Sequence, residues 1–211
     1  MQADLAILIP AAGASSRMGG VDKLGLKVGG EAALTRAVRQ ACATGAKVWV
    51  TLPESGAFAA SRARLVAGHE AVVLPIPTDQ VAEGMAASLR AGVGAAAAAR
   101  VLGLMIYLPD MPEIEGADLQ RLITLFAANP SRVVRATSDG PDGACRFGHP
   151  VILPKRLFDK IADLRGDRGA RDIIHDADVV PCPLPGQRAL LDLDRPEDWR
   201  NWSKEGNGNG T

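Results

Sequence analysis

The chain has 211 residues, with Lys plus Arg and Asp plus Glu balanced at 24 each. That length supports one well-filled core, and the balance leaves no net field to draw the chain to nucleic acid or an anionic membrane surface, so any anion must be bound by local groups. Three cysteines, Cys42, Cys145 and Cys182, are far apart and form no CxxC pair, which argues against a disulfide framework or thiolate zinc site and fits a reducing, cytoplasmic setting.

The N-terminal apolar run LAILI (5–9) is too short to span a bilayer and no Lys or Arg precedes it, so it reads as a strand rather than a signal or anchor. KVWVTL (47–52), AVVLPI (71–76), VLGLMIYL (101–108) and RVVRAT (132–137) are further apolar or β-branched runs, suggesting strands covered on both faces. Between them Leu34, Ala37, Val38 and Ala41, with Gly45 as a stop, then 86–99, then Leu119, Leu122, Ile123 and Phe126 fall at helical spacing. Strands alternating with helices predict a mostly parallel, layered α/β sheet. Beyond 137 the order is less regular. SDGPDGACRFG reads as a loop, HPVIL as a strand, Leu157, Ile161 and Leu164 as a helix, GDRGARDII as a turn entering a helix, ALLDLD as a last strand, and the segment from Pro196 as a final helix. Residues 1–202 are expected to form one domain and 203–211 a flexible tail.

The first strand is followed by AAGASSRMGGVDKL (11–24). Glycines without Cβ let backbone N–H groups converge on an anion, and Arg17 and Lys23 add charge. Neither GxxxxGK[ST] nor GxGxxG is present, which disfavours a kinase-type P-loop and a dinucleotide-dependent oxidoreductase. In open parallel sheets ligands sit beyond the carboxyl ends of strands. Asp110 in LMIYLPDMP and Asp192 and Asp194 in LLDLDRPED occupy such positions. Taken singly, Asp110 is also a plausible turn residue and Asp194 a helix cap. Together the carboxylates would repel unless a cation lay between them, and oxygen ligands beside a phosphate suit Mg²⁺. Met85, Met105 and Met111 read as packing, Trp199 and Trp202 as anchors of the last helix onto the sheet, and the cysteines as unreactive.

Six ordered segments, AAGASSRMG with Lys23, EGMAASLRAGV, LPDMP, GHPVIL, GDRGAR and LLDLDRPED, resemble the nucleotidyltransferases that attach a nucleotide to molybdopterin, over roughly residues 5 to 202. The resemblance implies a three-layer αβα sandwich with a Rossmann-like sheet of the nucleotide-diphospho-sugar-transferase kind. It also implies Mg²⁺-dependent transfer of CMP from CTP to the phosphate of molybdopterin, with release of pyrophosphate, and transient contact with a molybdenum hydroxylase or its chaperone. Ala11, Ala12, Gly13, Ala14 and Ser15 match the nucleotide loop, and Ala12, where guanylyl-transferring relatives carry glycine, matches the CTP-using members. Arg17 and Lys23 match triphosphate-contacting cations, Asp110 and Asp194, with Asp192, match metal ligands, and Gly84 and Ser88 border the nucleotide. Arg146 and His149, with Asp167, Arg168 and Arg171, fall where the acceptor would be held. The sequence PAAG is similar to the methylerythritol phosphate cytidylyltransferases, but their DAARP segment is replaced here by LPDMP. A sugar or polyol phosphate acceptor therefore stays open, as does a non-catalytic module that binds and delivers the cofactor.

Overall fold

The apolar run near the N-terminus forms β1 (Leu5–Pro10), and the two-residue period of a strand splits its side chains between two cores: Leu5, Ile7 and Ile9 enter one, Ala6 and Leu8 the other. The computed structural model describes residues 4–140, 142–165, 170, 173–174 and 178–204. After β1 come a small hairpin of β2 (Lys27–Val28) and β3 (Glu31–Ala32), α1 (Ala33–Cys42), β4 (Lys47–Pro53) and α2 (Ala59–Val66). The chain continues through β5 (Ala71–Ile76), α3 (Met85–Ala98), β6 (Gly103–Ile106), α4 (Gly116–Ala128), β7 (Val133–Asp139), β8 (Cys145–Pro154), α5 (Phe158–Ala162), β9 (Val179–Pro183) and a sixth helix, α6 (Pro196–Lys204).

Seven strands pair in the order β5-β4-β1-β6-β8-β7-β9. All neighbours run parallel except β8, which is antiparallel to both β6 and β7. Leu34, Val38, Val66, Leu119, Leu122 and Phe126 cover one face from α1, α2 and α4. Leu89, Val93, Phe158 and Ile161 cover the other from α3 and α5. The result is the mostly parallel, layered α/β architecture that the alternation of elements predicts, in the three layers that the resemblance implies. The chain leaves β1 toward β4 and β5, then crosses back to β6 on the other side of β1. The carboxyl ends of β1 and β6 therefore flank the point where the winding reverses, which is where such sheets open a crevice.

Several elements differ from the sequence reading. AVVLPI forms the edge strand β5, with Val72 and Val73 exposed, so it is not covered on both faces. The run 101–108 shortens to β6, and the segment read as a loop before HPVIL is half strand: β7 and β8 extend into a hairpin pairing Ser138 with Arg146. ALLDLD is not a strand. Pro185 and Gly186 break the chain, and the N–H groups of Leu190 and Leu191 both return to the Gln187 carbonyl in a turn. The ninth strand is instead VVPCP, whose prolines are tolerated because β9 is an edge. Trp199 and Trp202 do anchor α6, but against Met18, Val28, Ala33 and Leu193 rather than the main sheet. GDRGAR lies outside the described residues apart from Ala170, and of the expected tail only Ser203 and Lys204, the end of α6, are described. Among the described residues no helix is long and apolar enough to cross a membrane.

Candidate active site

Beyond the carboxyl ends of β1 and β6 lies a cleft of about 410 Å³. Its floor follows from the sheet register. The Ala11 N–H continues the β1–β4 ladder to the Thr51 carbonyl at 3.1 Å, and the Tyr107 N–H continues β6 to Leu8 at 3.0 Å. From there the chain runs into the glycine-containing loop on one side and into Pro109 and Asp110 on the other.

Lys23 stands at the start of a short 3-10 turn (Lys23–Gly25) capped by Asp22, whose carboxylate accepts the Leu24 N–H at 3.2 Å. Its ammonium donates to Asp110 Oδ2 and, at 2.6 Å, to Asp194 Oδ1. Arg17 Nη1 donates to the other oxygen of Asp194 at 2.8 Å. The cation required between the two acids is thus Lys23 itself. Burial opposes the ammonium, but the charge and hydrogen bonds of Asp110 and Asp194 outweigh it and raise Lys23 above its ordinary value. Burial likewise opposes the Asp194 carboxylate, yet hydrogen bonding and charge from Lys23 and then Arg17 hold it below the usual range.

Asp194 is free to serve here because it does not cap α6. Asp198, in the first turn of α6, instead accepts the N–H groups that precede the helix, those of Asp194 at 3.1 Å and Arg195 at 2.8 Å. The segment is pinned by the Leu193 N–H on the Asp110 carbonyl at 3.0 Å and by the Trp199 indole N–H on the Leu193 carbonyl at 3.0 Å. Partial burial, followed by the charges of Asp194 and Asp110, pushes the Asp192 carboxyl up.

The opposite wall is the N-terminus of α3. Gly84 precedes it at φ +57°, ψ −125°, a backbone conformation that side chains with Cβ rarely adopt. The first turn of α3 carries no acid and no side-chain cap, so the positive end of a fourteen-residue helix meets the cleft. Ser88 lies there fully buried, accepting a hydrogen bond from Thr51 at 2.9 Å. Met85 is exposed and lines the cleft, unlike the buried Met105 and Met111, so the expectation that all three pack the core holds for the last two alone.

The cleft therefore gathers Ala11, Gly13, Ala14, Ser15, Arg17, Lys23, Gly84, Ser88, Asp110, Asp192 and Asp194. Ala12 sits beneath it, its methyl packed with Ile76 and Ala87. Arg146, exposed and paired with Asp142 at 2.7 Å, and His149 lie on β8 and do not line it. His149 stands two residues before Val151, which pairs with Ile106, so it sits at the same carboxyl edge as Asp110. Burial, then the Arg135 charge, pushes its imidazole down to about 4, and its Nδ1 is buried without a partner among the described residues. Gly148 beside it passes so close to the Ala189 carbonyl that a Cβ would collide. Asp167, Arg168 and Arg171 lie outside the described residues. Burial raises the Cys42 and Cys182 thiols, away from thiolate reactivity.

Arg62 is the charged cleft residue that sequence reading missed. It donates to the Ala11 and Gly13 carbonyls, Ser15 and Asp22. Its one sequence signal is its spacing four residues before Val66, which puts both on the buried face of α2.

Asp110 Oδ1 is buried and has no hydrogen-bond partner among the described residues. Hard carboxylate oxygens of this kind, with Asp194 adjacent, fit a divalent ion such as Mg²⁺. No three His, Cys, Asp or Glu side chains among the described residues group into a self-sufficient metal cage. An ion here would thus take one or two carboxylates and complete its shell from phosphate and water, a habit of Mg²⁺.

Comparison with known proteins identifies the family and the fold. No curated protein matches the sequence. Among solved structures, Rv0371c from Mycobacterium tuberculosis H37Rv is 28% identical, with a TM-score of 0.73 over 95% of this chain and 98% of that one. Two more distant structures share the fold. One is a 4-diphosphocytidyl-2C-methyl-D-erythritol synthase from Anaerococcus prevotii (12% identity, TM-score 0.70, covering 97% and 99% of the two chains). The other is the molybdopterin-guanine dinucleotide biosynthesis protein A from Archaeoglobus fulgidus (13%, 0.67, 95% and 98%). The sequence matches a nucleotidyltransferase family over residues 7–180, and the chain belongs to the MobA-like NTP transferase domain family.

Proposed function

We propose that this nucleotidyltransferase transfers CMP from CTP to the phosphate of molybdopterin, releasing pyrophosphate. The observation that carries the reading is the meeting of Lys23 with Asp110 and Asp194 in a cleft walled by the glycine-containing loop and the α3 N-terminus. The acceptor phosphate is already an anion, so its attack on the α-phosphorus needs no general base. A bond forms between the acceptor oxygen and the α-phosphorus, the α–β bridge breaks, and its electrons leave on pyrophosphate. What the protein must supply is alignment and neutralisation of charge.

Lys23 and Arg17 are the cationic side chains placed for that task. Each well-aimed contact contributes about 2 to 4 kcal/mol to a transition state of this kind. Three carboxylates face these two cations, so the cleft does not by itself attract a triphosphate. Asp110 and Asp194 would hold Mg²⁺, and when bound that ion neutralises charge on the phosphates. Lys23 then exchanges its carboxylate partners for phosphate oxygens.

Support for CTP comes from Ala12 and from the cytidyl chemistry named for the Anaerococcus relative. Support for molybdopterin comes from the ordered motifs and from the Archaeoglobus relative's name. His149 and Arg146 are assigned to the acceptor, together with Asp167, Arg168 and Arg171 of GDRGAR, and the product passes to a molybdenum hydroxylase or its chaperone. The test is pyrophosphate release with each nucleoside triphosphate and either molybdopterin or methylerythritol phosphate, with and without Mg²⁺. Turnover confined to CTP, molybdopterin and Mg²⁺ supports the assignment. Equal turnover with GTP overturns the base preference, and equal turnover with methylerythritol phosphate overturns the pterin.

A further inference from the structure

We infer that Arg62 is a positioning residue whose buried guanidinium holds the nucleotide loop in shape and sets where Lys23 stands. The inference rests on the nucleotide reading of the cleft and extends it to a side chain on α2.

Arg62 is 1% exposed, yet all of its N–H donors are used. Nε reaches both oxygens of Asp22 at 3.2 and 3.0 Å, Nη1 reaches the carbonyls of Ala11 at 2.8 Å and Gly13 at 2.6 Å, and Nη2 reaches Ser15 Oγ at 3.0 Å and Asp22 Oδ1 at 2.8 Å. The Phe58 ring lies 5.2 Å from the guanidinium carbon. With five donors in a planar fork fully engaged, Arg62 has none left for a substrate, which separates its role from those of Arg17 and Lys23.

What it grips is the loop from both ends. In a trans peptide the C=O and the following N–H point in opposite directions. By drawing the Ala11 and Gly13 carbonyls toward itself, Arg62 turns the N–H groups of Ala12 and Ala14 the other way and removes carbonyl dipoles that would repel an anion. Ser15 sits in the left-handed region at φ +50°, a strained conformation for a residue with Cβ, and its hydroxyl is held by the same guanidinium. At the far end, Asp22 accepts from Arg62 and from the Leu24 N–H at once. The turn that begins with Lys23 is thereby tied to α2. The ammonium of lysine could occupy one of these points but could not span them.

Hydrogen exchange of the full chain without ligand, read for Arg62→Lys and Asp22→Asn, tests the clamp. CTP affinity in the presence of Mg²⁺ is measured on the same variants. Amides of residues 11–24 should exchange at least about tenfold faster in both variants while β4 and β6 change less than about twofold, because a local opening leaves the sheet intact. CTP should bind at least about tenfold more weakly, and Arg62→Lys should not rescue Arg62→Ala. Loop exchange at the wild-type rate in Arg62→Lys overturns the proposal, as does an equal rise across the sheet, which would make Arg62 a general stability residue. Wild-type loop protection that disappears in Arg62→Lys, with no CTP binding by either protein, upholds the clamp and overturns the nucleotide reading.

Discussion

Lys23 Nζ lies 2.6 Å from Asp194 Oδ1 across 171 residues of chain, and the same ammonium donates to Asp110. One cation therefore ties the turn that carries it to the segment after β6 and the segment before α6. Removing it has opposite consequences for catalysis and for metal binding. Lys23→Met should slow pyrophosphate release about 10² to 10³-fold, the usual cost of losing one placed charge. The same substitution should tighten binding of free Mn²⁺ in the absence of nucleotide, because the two acids lose their internal counter-ion. Steady-state assays and Mn²⁺ electron paramagnetic resonance read the two effects separately. Weaker Mn²⁺ binding in this variant would contradict the exchange of partners.

Asp110→Asn separates an enzyme from a delivery module. It should remove at least about 10²-fold of the Mg²⁺-dependent rate, while molybdopterin binding, followed by fluorescence, is retained. Unchanged pyrophosphate release would exclude Asp110 from the reaction.

The Lys23–Asp194 pair also sets a pH dependence of stability. The Asp194 carboxyl is held below 3.8, so its contribution is present above that value and is lost as pH falls through the lowered one. Lys23 is raised above 10.5, so its contribution is present below that value and is lost as pH rises through the raised one. The difference in Tm between wild type and Asp194→Asn should thus be flat from about pH 5 to 9 and close on acidification. A difference that changes near neutrality would point to another titrating group.

His149 adds a second loss of stability on acidification, in a higher pH range. Its imidazole is pushed down to about 4 from 6.5, so the unfolded chain takes up the proton first and stability declines as pH falls between those values. His149→Gln should flatten that decline in thermal unfolding. The imidazole carbon-bound protons should titrate near 4 by NMR, and a value near 6.5 would remove His149 from its buried place.

How much of this was legible in sequence depended on range. β1 and the loop after it were readable because an apolar run and the glycines signal locally. Asp110 and Asp194 were readable as candidates because both follow strand-like runs, although the second run proved to be a turn that Pro185, Gly186 and Gln187 impose. Arg62 was not readable, because its meaning comes from carbonyls and a carboxylate 40 to 51 residues away. β9 was hidden by Pro181 and Pro183, which discourage a strand until pairing shows it to be an edge. That the cation between the acids is Lys23 is set by the tertiary fold, since charge pairing across 87 and 171 residues leaves no local trace.

The most direct measurement is a crystal structure of the protein with Mn²⁺ and a CTP analogue carrying a methylene between the α and β phosphorus atoms. Anomalous density for the metal is expected on Asp110 and Asp194, with the Lys23 and Arg17 side chains on phosphate oxygens. A nucleotide bound elsewhere, or Lys23 still bridging the two carboxylates beside a bound triphosphate, would contradict this arrangement.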